Sequence, residues 1–335
     1  MTKSSKGDQS SKGRIPGVFV AGVTALISGV SVFVNSYGVR AVPSPVVYTT
    51  VKNVVAALVL VVAAAIGLAA RTRQRTSISA NFIAPGHRGH MRRSETLWRG
   101  WARWLALAYV GIIGGGVAFV VFFKGLAVAQ PASSAFWRDT LVVWVALFAL
   151  VMLRERVKWW NVVAMLLLVV GEVTVTGGVG QLGAHEGEGL VLIATVLWAI
   201  EVVVAKRLLR ELSPSTVSLV RLGCGSLALL IYVAGTGELG GLLALNAHQL
   251  LWVLVTGLLL AAYVATWMTA LSRARALDVT SVLVASALVT WVLQVGVGAV
   301  VPVTSLGLIL IAFGVGLVVV ASVRRDPTST WSQRT

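Results

Sequence analysis

The chain is dominated by long apolar runs that are separated by short polar segments. Ten of these runs are roughly 18 to 25 residues long, which is enough for a helix to cross a hydrocarbon core about 30 Å thick. They cover residues 17–37, 46–69, 104–123, 132–153, 160–177, 189–207, 215–235, 249–271, 278–300 and 303–322. Because backbone N–H and C=O groups cannot stay unpaired in lipid, each run is predicted to be a helix. The sequence therefore predicts an all-α polytopic membrane protein with ten transmembrane helices.

Composition excludes the main soluble alternatives. Of the 335 residues, 57% are hydrophobic and 12% are charged, against about 25% charged in a typical soluble protein. The net charge of +16 does not indicate a nucleic-acid partner, because the bases lie in short clusters between apolar runs rather than on one polar domain. The single cysteine, Cys224, excludes an internal disulfide framework and a thiolate metal cluster. No cofactor and no metal site is predicted.

The basic clusters fall at every second connection between the apolar runs. By the positive-inside rule these connections and both termini are predicted to be cytoplasmic, in a plasma (cell inner) membrane. Residues 1–16 and 323–335 are predicted to be basic cytoplasmic tails, and 71–97 a basic cytoplasmic loop. These segments are expected to lie near anionic lipid headgroups. The sequence assigns no oligomeric state.

Two short stretches share one pattern, namely Ser-Pro, then a hydroxyl residue, then a base. They are SPVVYTTVK (44–52) and SPSTVSLVR (213–221). A repeat of five helices ends on the membrane face opposite to its start, so a second copy is inverted, with a solute site where the halves meet. The sequence thus predicts two inverted five-helix repeats, 17–177 and 189–322, joined by an external linker, 178–188.

Four further stretches carry a family resemblance. They are GIIGGGVAFVVFFKGLAVAQPASSAF (111–136), LRERV (153–157), VVAMLLLVVGEVTV (162–175) and ALSRARALDVTSVL (270–283). With them the chain resembles the drug/metabolite transporter superfamily, in particular transporters with two EamA domains. The resemblance implies proton-driven transport of a small metabolite, an amino acid or a drug-like compound.

The chain departs from that family in two places. The family usually has a proline in the middle of helices 4 and 9, where this chain reads WRDTLVVW (137–144) and VASALVTW (284–291). The acidic motif that closes helix 4 has no counterpart after helix 9, where AVVPVT stands.

Six ionisable side chains lie well inside the predicted helices. They are Lys52, Arg138, Asp139, Glu172, Glu201 and Arg221. A charge at the bilayer centre costs at least ~3 kcal/mol, so each side chain is expected to have a partner. Depth along the helices matches Arg221 with Glu201 near the inner face, and places Lys52 in an outer layer with Arg138, Asp139 and Glu172. Arg138 and Asp139 are adjacent and point about 100° apart, so each is expected to find a different partner.

Two interpretations of these charges stay open. The side chains either form structural pairs, with Lys52 also able to extend to the lipid headgroups, or they take part in solute binding, gating and proton coupling.

The aromatic residues leave a similar choice. Trp137, Thr140 and Trp144 are spaced to form one face of helix 4, and Trp291 is the repeat partner of Trp144. Such a face either packs in the core or covers an organic solute. The spacing of Gly111 and Gly115 predicts close helix packing.

The function that fits these features is secondary transport of a small organic solute by alternating access, with protons as a candidate coupling ion. The chain is predicted not to be an enzyme. The alternatives are a non-transporting scaffold, or a membrane enzyme that acts on a lipid-linked substrate. An enzyme of that kind is expected to carry several acidic or histidine side chains in its loops at one membrane face, and a scaffold does not need six intramembrane charges.

Overall fold

The computed structural model describes residues 17–79, 100–129, 136–155, 159–175, 186–298 and 305–323. These residues form helices, which we label α1 to α10 in chain order, and no strand occurs among them. The bounds are α1 Gly17–Ala41, α2 Pro45–Ser79, α3 Gly100–Ala108 with Tyr109–Val117 and Ala118–Val128, α4 Leu141–Phe148 with Ala149–Leu153, α5 Trp159–Val175, α6 Glu186–Leu208, α7 Pro214–Gly235, α8 Ala247–Arg273, α9 Ala276–Leu283 with Ser286–Gly296, and α10 Ser305–Val323. A short helix, Leu239–Leu243, lies between α7 and α8.

Within the described residues, eight helices are long and apolar enough to cross a membrane. Their spans are Gly17–Ala41, Pro45–Ala70, Gly100–Leu126, Phe136–Leu153, Glu186–Leu208, Pro214–Gly235, Ala247–Arg273 and Ala276–Gly296. Two more apolar helices, Trp159–Val175 and Leu306–Ala321, are shorter. A polytopic helical membrane protein is confirmed, whereas the crossing of α5 and α10, and with it the count of ten, stays a prediction.

The predicted polar segments are only partly described. The predicted N-terminal tail, 1–16, lies outside the described ranges. The same is true of residues 324–335 of the predicted C-terminal tail and of residues 178–185 of the predicted linker. The predicted basic loop at 71–97 begins as helix instead, because α2 continues to Ser79 before residues 80–97, which are also outside those ranges.

The main helix contacts join the first half of the chain to the second. α1 packs against α8 and α9, α2 against α7 and α8, and α3 against α6 and α7. α4 packs against α6 and α9, and α5 packs against α10. The largest buried cluster consists mainly of Ala, Val and Leu side chains on α6, α8 and α9, among them Val264, Met268 and Leu271. The interface between the halves therefore passes through the interior of the molecule.

Helices α4 and α9 are both interrupted, although the sequence predicts one continuous helix for each of 132–153 and 278–300. In α4 a turn at Thr140 follows the helical residues 136–139, and the Val143 N–H bonds to the Thr140 carbonyl at 2.9 Å. In α9 the break lies at residues 284–285, where the Ala285 N–H bonds to the Val282 carbonyl at 3.0 Å. Both are tightened i→i−3 turns. The two stretches in which the family usually has a proline are thus interrupted here, although neither contains one.

Two helices in the described part of the chain contain wider π-helical turns. The first covers Tyr109–Val117 in α3 and includes the glycine run, and the second covers Ala149–Leu153 at the end of α4. The Ala118 N–H bonds to the Ile113 carbonyl, which is the i→i−5 pattern of a π turn. Such turns re-aim side chains and occur frequently at functional sites. Here one adjoins the buried ion pair described below, and the other orients the end of α4.

The orientation predicted from the basic clusters is testable at two exposed residues. Leu243, which is 90% exposed, follows α7, and Arg210, which is also exposed, follows α6. In a Cys224→Ser background, Leu243→Cys is expected to react with an impermeant thiol reagent in intact cells. Arg210→Cys is expected to react only after permeabilisation, because the positive-inside bias places it in the cytoplasm. The reverse pattern of labelling contradicts the orientation.

Candidate functional site

An ion pair between α6 and α7 lies in the protein interior. Nε and Nη2 of Arg221 both donate to the carboxylate of Glu201, the second at 3.3 Å. Glu201 is 3% exposed and Arg221 is 8% exposed. The partner predicted for Arg221 from helix depth is therefore confirmed. A bidentate Arg–carboxylate pair fixes both side chains in position and satisfies their charges away from water.

Glycines of α3 make room for this ion pair. A Cβ atom on Gly114 would overlap the Glu201 carboxyl group, and one on Gly115 would overlap the backbone carbonyl of Arg221. A Cβ on Gly111 would lie 2.6 Å from that of Cys224, so α3 and α7 touch along this face. The predicted close packing at Gly111 and Gly115 is confirmed. In addition, the absence of a side chain at Gly114 is what admits the carboxylate.

Aromatic side chains enclose the ion pair on another side. The Arg221 guanidinium lies 5.9 Å from the ring centre of Phe119, within cation–π range. Trp198 packs edge-on against Phe119, with 5.2 Å between ring centres, and its indole N–H donates to the Gly114 carbonyl at 3.0 Å. The charged pair is thus flanked by rings that could also contact an organic solute.

A second group of charges lies at the break of α4. Nε and Nη2 of Arg138 donate to the Asp139 carboxylate at 2.8 and 3.1 Å. The prediction that these adjacent residues find different partners is wrong. It rested on the directions of their Cα–Cβ bonds, whereas the arginine chain is long enough to bend back to its neighbour. The side chains are 38% and 20% exposed, so this pair is less deeply buried than Glu201–Arg221.

A small cavity brings two carboxyl groups together between α4, α5 and α9. Asp139, Thr140 and Glu172 line it together with apolar side chains, among them Phe136, Leu168 and Val284. Its volume is about 10 Å³, which is close to the space of one water molecule. The predicted proximity of Glu172 to Asp139 is confirmed. In this conformation the cavity is too small for an organic solute.

Lys52 lies in a different environment from the one predicted. Its ammonium group donates to Oδ1 of Asn35 at 3.1 Å, and Tyr48 donates to the same oxygen at 2.7 Å. The ammonium also lies 5.2 Å from the ring centre of Tyr48. Lys52 is 9% exposed and forms no ion pair with a carboxylate of the described residues. In this conformation Lys52 is thus not paired with Asp139 or Glu172, the acids of the outer layer in which helix depth placed it.

The predicted aromatic face of α4 is interrupted by the turn at Thr140. The Thr140 hydroxyl donates to the Trp137 carbonyl at 2.6 Å, and Thr140 lines the cavity. Trp144 instead packs against the main core, with its ring centre 6.5 Å from that of Phe148. Trp291 is half-buried in the second segment of α9. Thr140 therefore reaches the charged cavity, while the tryptophans are not part of its lining.

Tyr263 on α8 is a site residue that the sequence analysis did not single out. It interacts electrostatically with Arg138 at the α4 break and with Arg221 and Glu201 in the deeper pair. Its ring stacks on Trp267, with 6.1 Å between ring centres. Tyr263 is thus within electrostatic reach of both charged groups. A tyrosine and a tryptophan four residues apart in an apolar run were the available signal, but that spacing is equally typical of core packing.

The fold and its charged interior define a multi-pass helical membrane protein, and comparison with known proteins specifies the family. The sequence profile of the EamA-like transporter family matches residues 15–177 and again 185–320. The chain therefore belongs to the EamA-like transporter family, as the sequence motifs predict. Members of this family are transporters of small solutes, which favours transport over the scaffold and enzyme alternatives.

A solved structure supports the fold independently. It is titled only "Crystal structure of protein", is 18% identical in sequence and superposes with a TM-score of 0.66. The similarity covers 91% of this chain and 98% of the other. At this identity it shows the fold alone. No curated protein matches the sequence.

Proposed function

We propose that this protein is a secondary transporter that moves a small organic solute across the plasma membrane by alternating access, coupled to protons. The observation that carries the proposal is the set of charged groups in the interior of a member of a transporter family. Glu201 and Arg221 lie on α6 and α7, and Asp139 and Glu172 on α4 and α5, so both halves contribute. Tyr263 on α8 interacts electrostatically with Arg221 and Glu201 of the first group and with Arg138 of the second.

The helix packing supports the inverted repeat on which alternating access depends. If each helix of the first half is exchanged with the one five places later, the main contacts between the two halves are mapped onto one another. The α1–α8 contact becomes α6–α3, α3–α7 becomes α8–α2, and α1–α9 becomes α6–α4, and all of these occur. The pairs α2–α7, α4–α9 and α5–α10 are mapped onto themselves and occur as well. We infer that two five-helix repeats, 17–177 and 189–322, pack about a common axis.

The chemistry of the site suits a solute that has both charged and apolar parts. The interior carries two arginine–carboxylate pairs, and aromatic rings flank the deeper one. An amino acid, another metabolite of mixed charge or an amphipathic drug-like compound would find complementary groups here. The small cavity beside Glu172 would have to widen to admit such a solute, which alternating access provides.

Comparing the metabolites of cells that lack the protein with those of cells that overproduce it tests this proposal. We expect at least one small organic compound to change in opposite directions in the two strains. Overproduction of an Arg221→Met/Glu201→Gln variant in equal amount serves as the control. If no compound follows the level of the active protein, the proposal fails.

Glu172 is the carboxylate that we propose carries the coupling proton. It is 6% exposed and faces the charged cavity with Asp139, and a carboxyl group in such a desolvated place can take up and release a proton. Glu172→Gln is expected to abolish gradient-driven accumulation of the solute in reconstituted vesicles while leaving solute exchange intact. Glu186→Gln, at an exposed acid that begins α6, is the matched control. Undiminished uphill transport by Glu172→Gln would assign Glu172 a structural role.

A further inference from the structure

The turn between α8 and α9 lies on the side of the membrane that carries the basic clusters. Only Ala274 and Arg275 separate the end of α8 at Arg273 from the start of α9 at Ala276. Because so short a turn leaves little freedom between the two helices, their inner ends are expected to move together. A contact that fixes this turn therefore restrains both helices at once.

Glu155, just beyond the end of α4, holds the turn from one side. Its Oε1 accepts the Ala276 N–H at 3.3 Å, and its Oε2 lies 3.7 Å from Nε of Arg275. The Ala276 N–H is one of the first amides of α9, which have no partner within the helix, and a carboxylate at a helix N-terminus is favoured electrostatically. This contact crosses from the first half of the chain to the second. Glu155 also belongs to the acidic motif that has no counterpart after α9.

Lys206, near the end of α6, holds the turn from another side. Its ammonium group donates to the carbonyl oxygens of Leu271 and Ala274, the latter at 2.6 Å. The Leu271 carbonyl lies in the last turn of α8, where carbonyl groups lack partners within the helix and a positive charge is favoured. Both partners belong to the second half of the chain, so this contact ties the turn to its own half.

Local geometry directs Glu155 at the turn. Arg154, the residue before it, has a φ of 53°, a left-handed conformation that is uncommon for residues other than glycine. The Glu155 N–H then bonds to the Ala149 carbonyl at 3.1 Å, which closes the π-helical end of α4. Such a conformation persists where the surrounding contacts determine it. The chain at the end of α4 is thus bent in a way that directs the Glu155 carboxylate to α9.

We propose that Glu155, Arg275 and Lys206 form a cytoplasmic latch. Lys206 keeps the α8–α9 turn fixed to α6, while the Glu155 carboxylate joins the turn to α4 as long as the inner side is closed. Opening to the cytoplasm separates Glu155 from Arg275 and from the Ala276 N–H. Of the alternating access proposed above, this proposal rests on one step, the opening of the inner side, because a latch has meaning only if that side opens.

Distances between spin labels on each side of the membrane test the latch. The inner pair is Trp159→Cys, at the start of α5, with Arg273→Cys, at the end of α8, since both residues are exposed. The outer pair is Val128→Cys with Leu243→Cys, which are 71% and 90% exposed. Both pairs are made in a Cys224→Ser background and measured by pulsed electron paramagnetic resonance in lipid nanodiscs.

Glu155→Ala, which removes both contacts of the carboxylate, is expected to increase the population with a long inner distance by about tenfold. Glu155→Gln, which keeps an acceptor for the Ala276 N–H, is expected to have a smaller effect. Arg275→Gln removes the same ion pair from the other side and is expected to reproduce the effect of Glu155→Gln. Agreement between the two variants would show that the effect does not come from misfolding of one of them. Glu211→Gln, at another acid in a connection on the basic side, is the matched control and should leave the distances unchanged.

The two distance pairs separate the latch from the proposed function. If the outer distance shortens as the inner distance lengthens, both the latch and alternating access are supported. If only the inner distance lengthens, the latch stands and alternating access does not. If Glu155→Ala and Arg275→Gln fold but keep the wild-type inner distances, the latch is overturned whatever the protein transports.

Discussion

Replacing Arg221 with Met is expected to lower the free energy of unfolding by about 3–5 kcal/mol. The substitution leaves the Glu201 carboxylate, which is 3% exposed, without its bidentate partner in a low-dielectric interior. The cost therefore comes from the uncompensated charge more than from the lost contacts.

A double substitution separates this explanation from a simple packing defect. Adding Glu201→Gln to Arg221→Met removes the second charge, so we expect the double variant to recover part of the lost stability. Equilibrium unfolding in mixed detergent micelles provides the measurement, and Arg210→Met, at an exposed arginine, is the control. A double variant as unstable as Arg221→Met alone would show that charge compensation is not the reason.

Arg221→Met is also expected to change the balance between the inward-open and outward-open conformations. Because the Glu201–Arg221 pair lies toward the inner side, its loss should favour the inward-open state. Lys52→Met is expected to shift the balance in the opposite direction if Lys52 is the equivalent element of the outer side. In the present conformation Lys52 bonds to Asn35 instead of an acid, so its effect should be the smaller of the two.

Gly115→Ala is expected to destabilise the protein by about 3 kcal/mol, at the upper end of typical overpacking effects. The new Cβ would overlap the Arg221 carbonyl and lie 3.1 Å from Cα of Gly225. These are backbone atoms, which cannot rotate away as a side chain can. Relief requires α3 and α7 to separate, which would also displace the Glu201–Arg221 pair.

Gly223→Ala is the matched control because it lies on α7 and a methyl group added there would have no neighbouring atom within 4 Å. It is expected to be neutral or slightly stabilising, since alanine is a better helix former than glycine by about 0.5–1 kcal/mol. The same unfolding titration gives both values. Equal stability of the two variants would mean that α3 and α7 are not in the tight contact described above.

The positions of the helices were predictable because hydropathy and length are properties of the sequence alone. The breaks at Thr140 and at residues 284–285 were not, because neither contains the proline that would mark a helix break in the sequence. Interruptions of this kind depend on the neighbouring helices and on local turn geometry. The extension of α2 to Ser79 was missed for the opposite reason, since polar residues continue a helix beyond the apolar run.

The predictability of the site varied with the chemistry of each residue. Glu201 and Arg221 were matched because opposite charges at equal depth have few alternatives. Asn35 could not be predicted as the partner of Lys52, because a neutral amide carries no charge to match. The sequence around Tyr263 is typical of core packing, and the electrostatic interaction of Tyr263 with both charged groups follows only from the fold.

Solute exchange in reconstituted vesicles tests the central claim most directly. Vesicles that contain the purified protein are loaded with a total small-molecule extract of the source cells, and the compounds released are identified by mass spectrometry. We predict that at least one organic solute leaves faster than from protein-free vesicles, and that Gly115→Ala reduces this release while Gly223→Ala does not. Release identical to that of protein-free vesicles for every compound would contradict the assignment of this protein as a transporter.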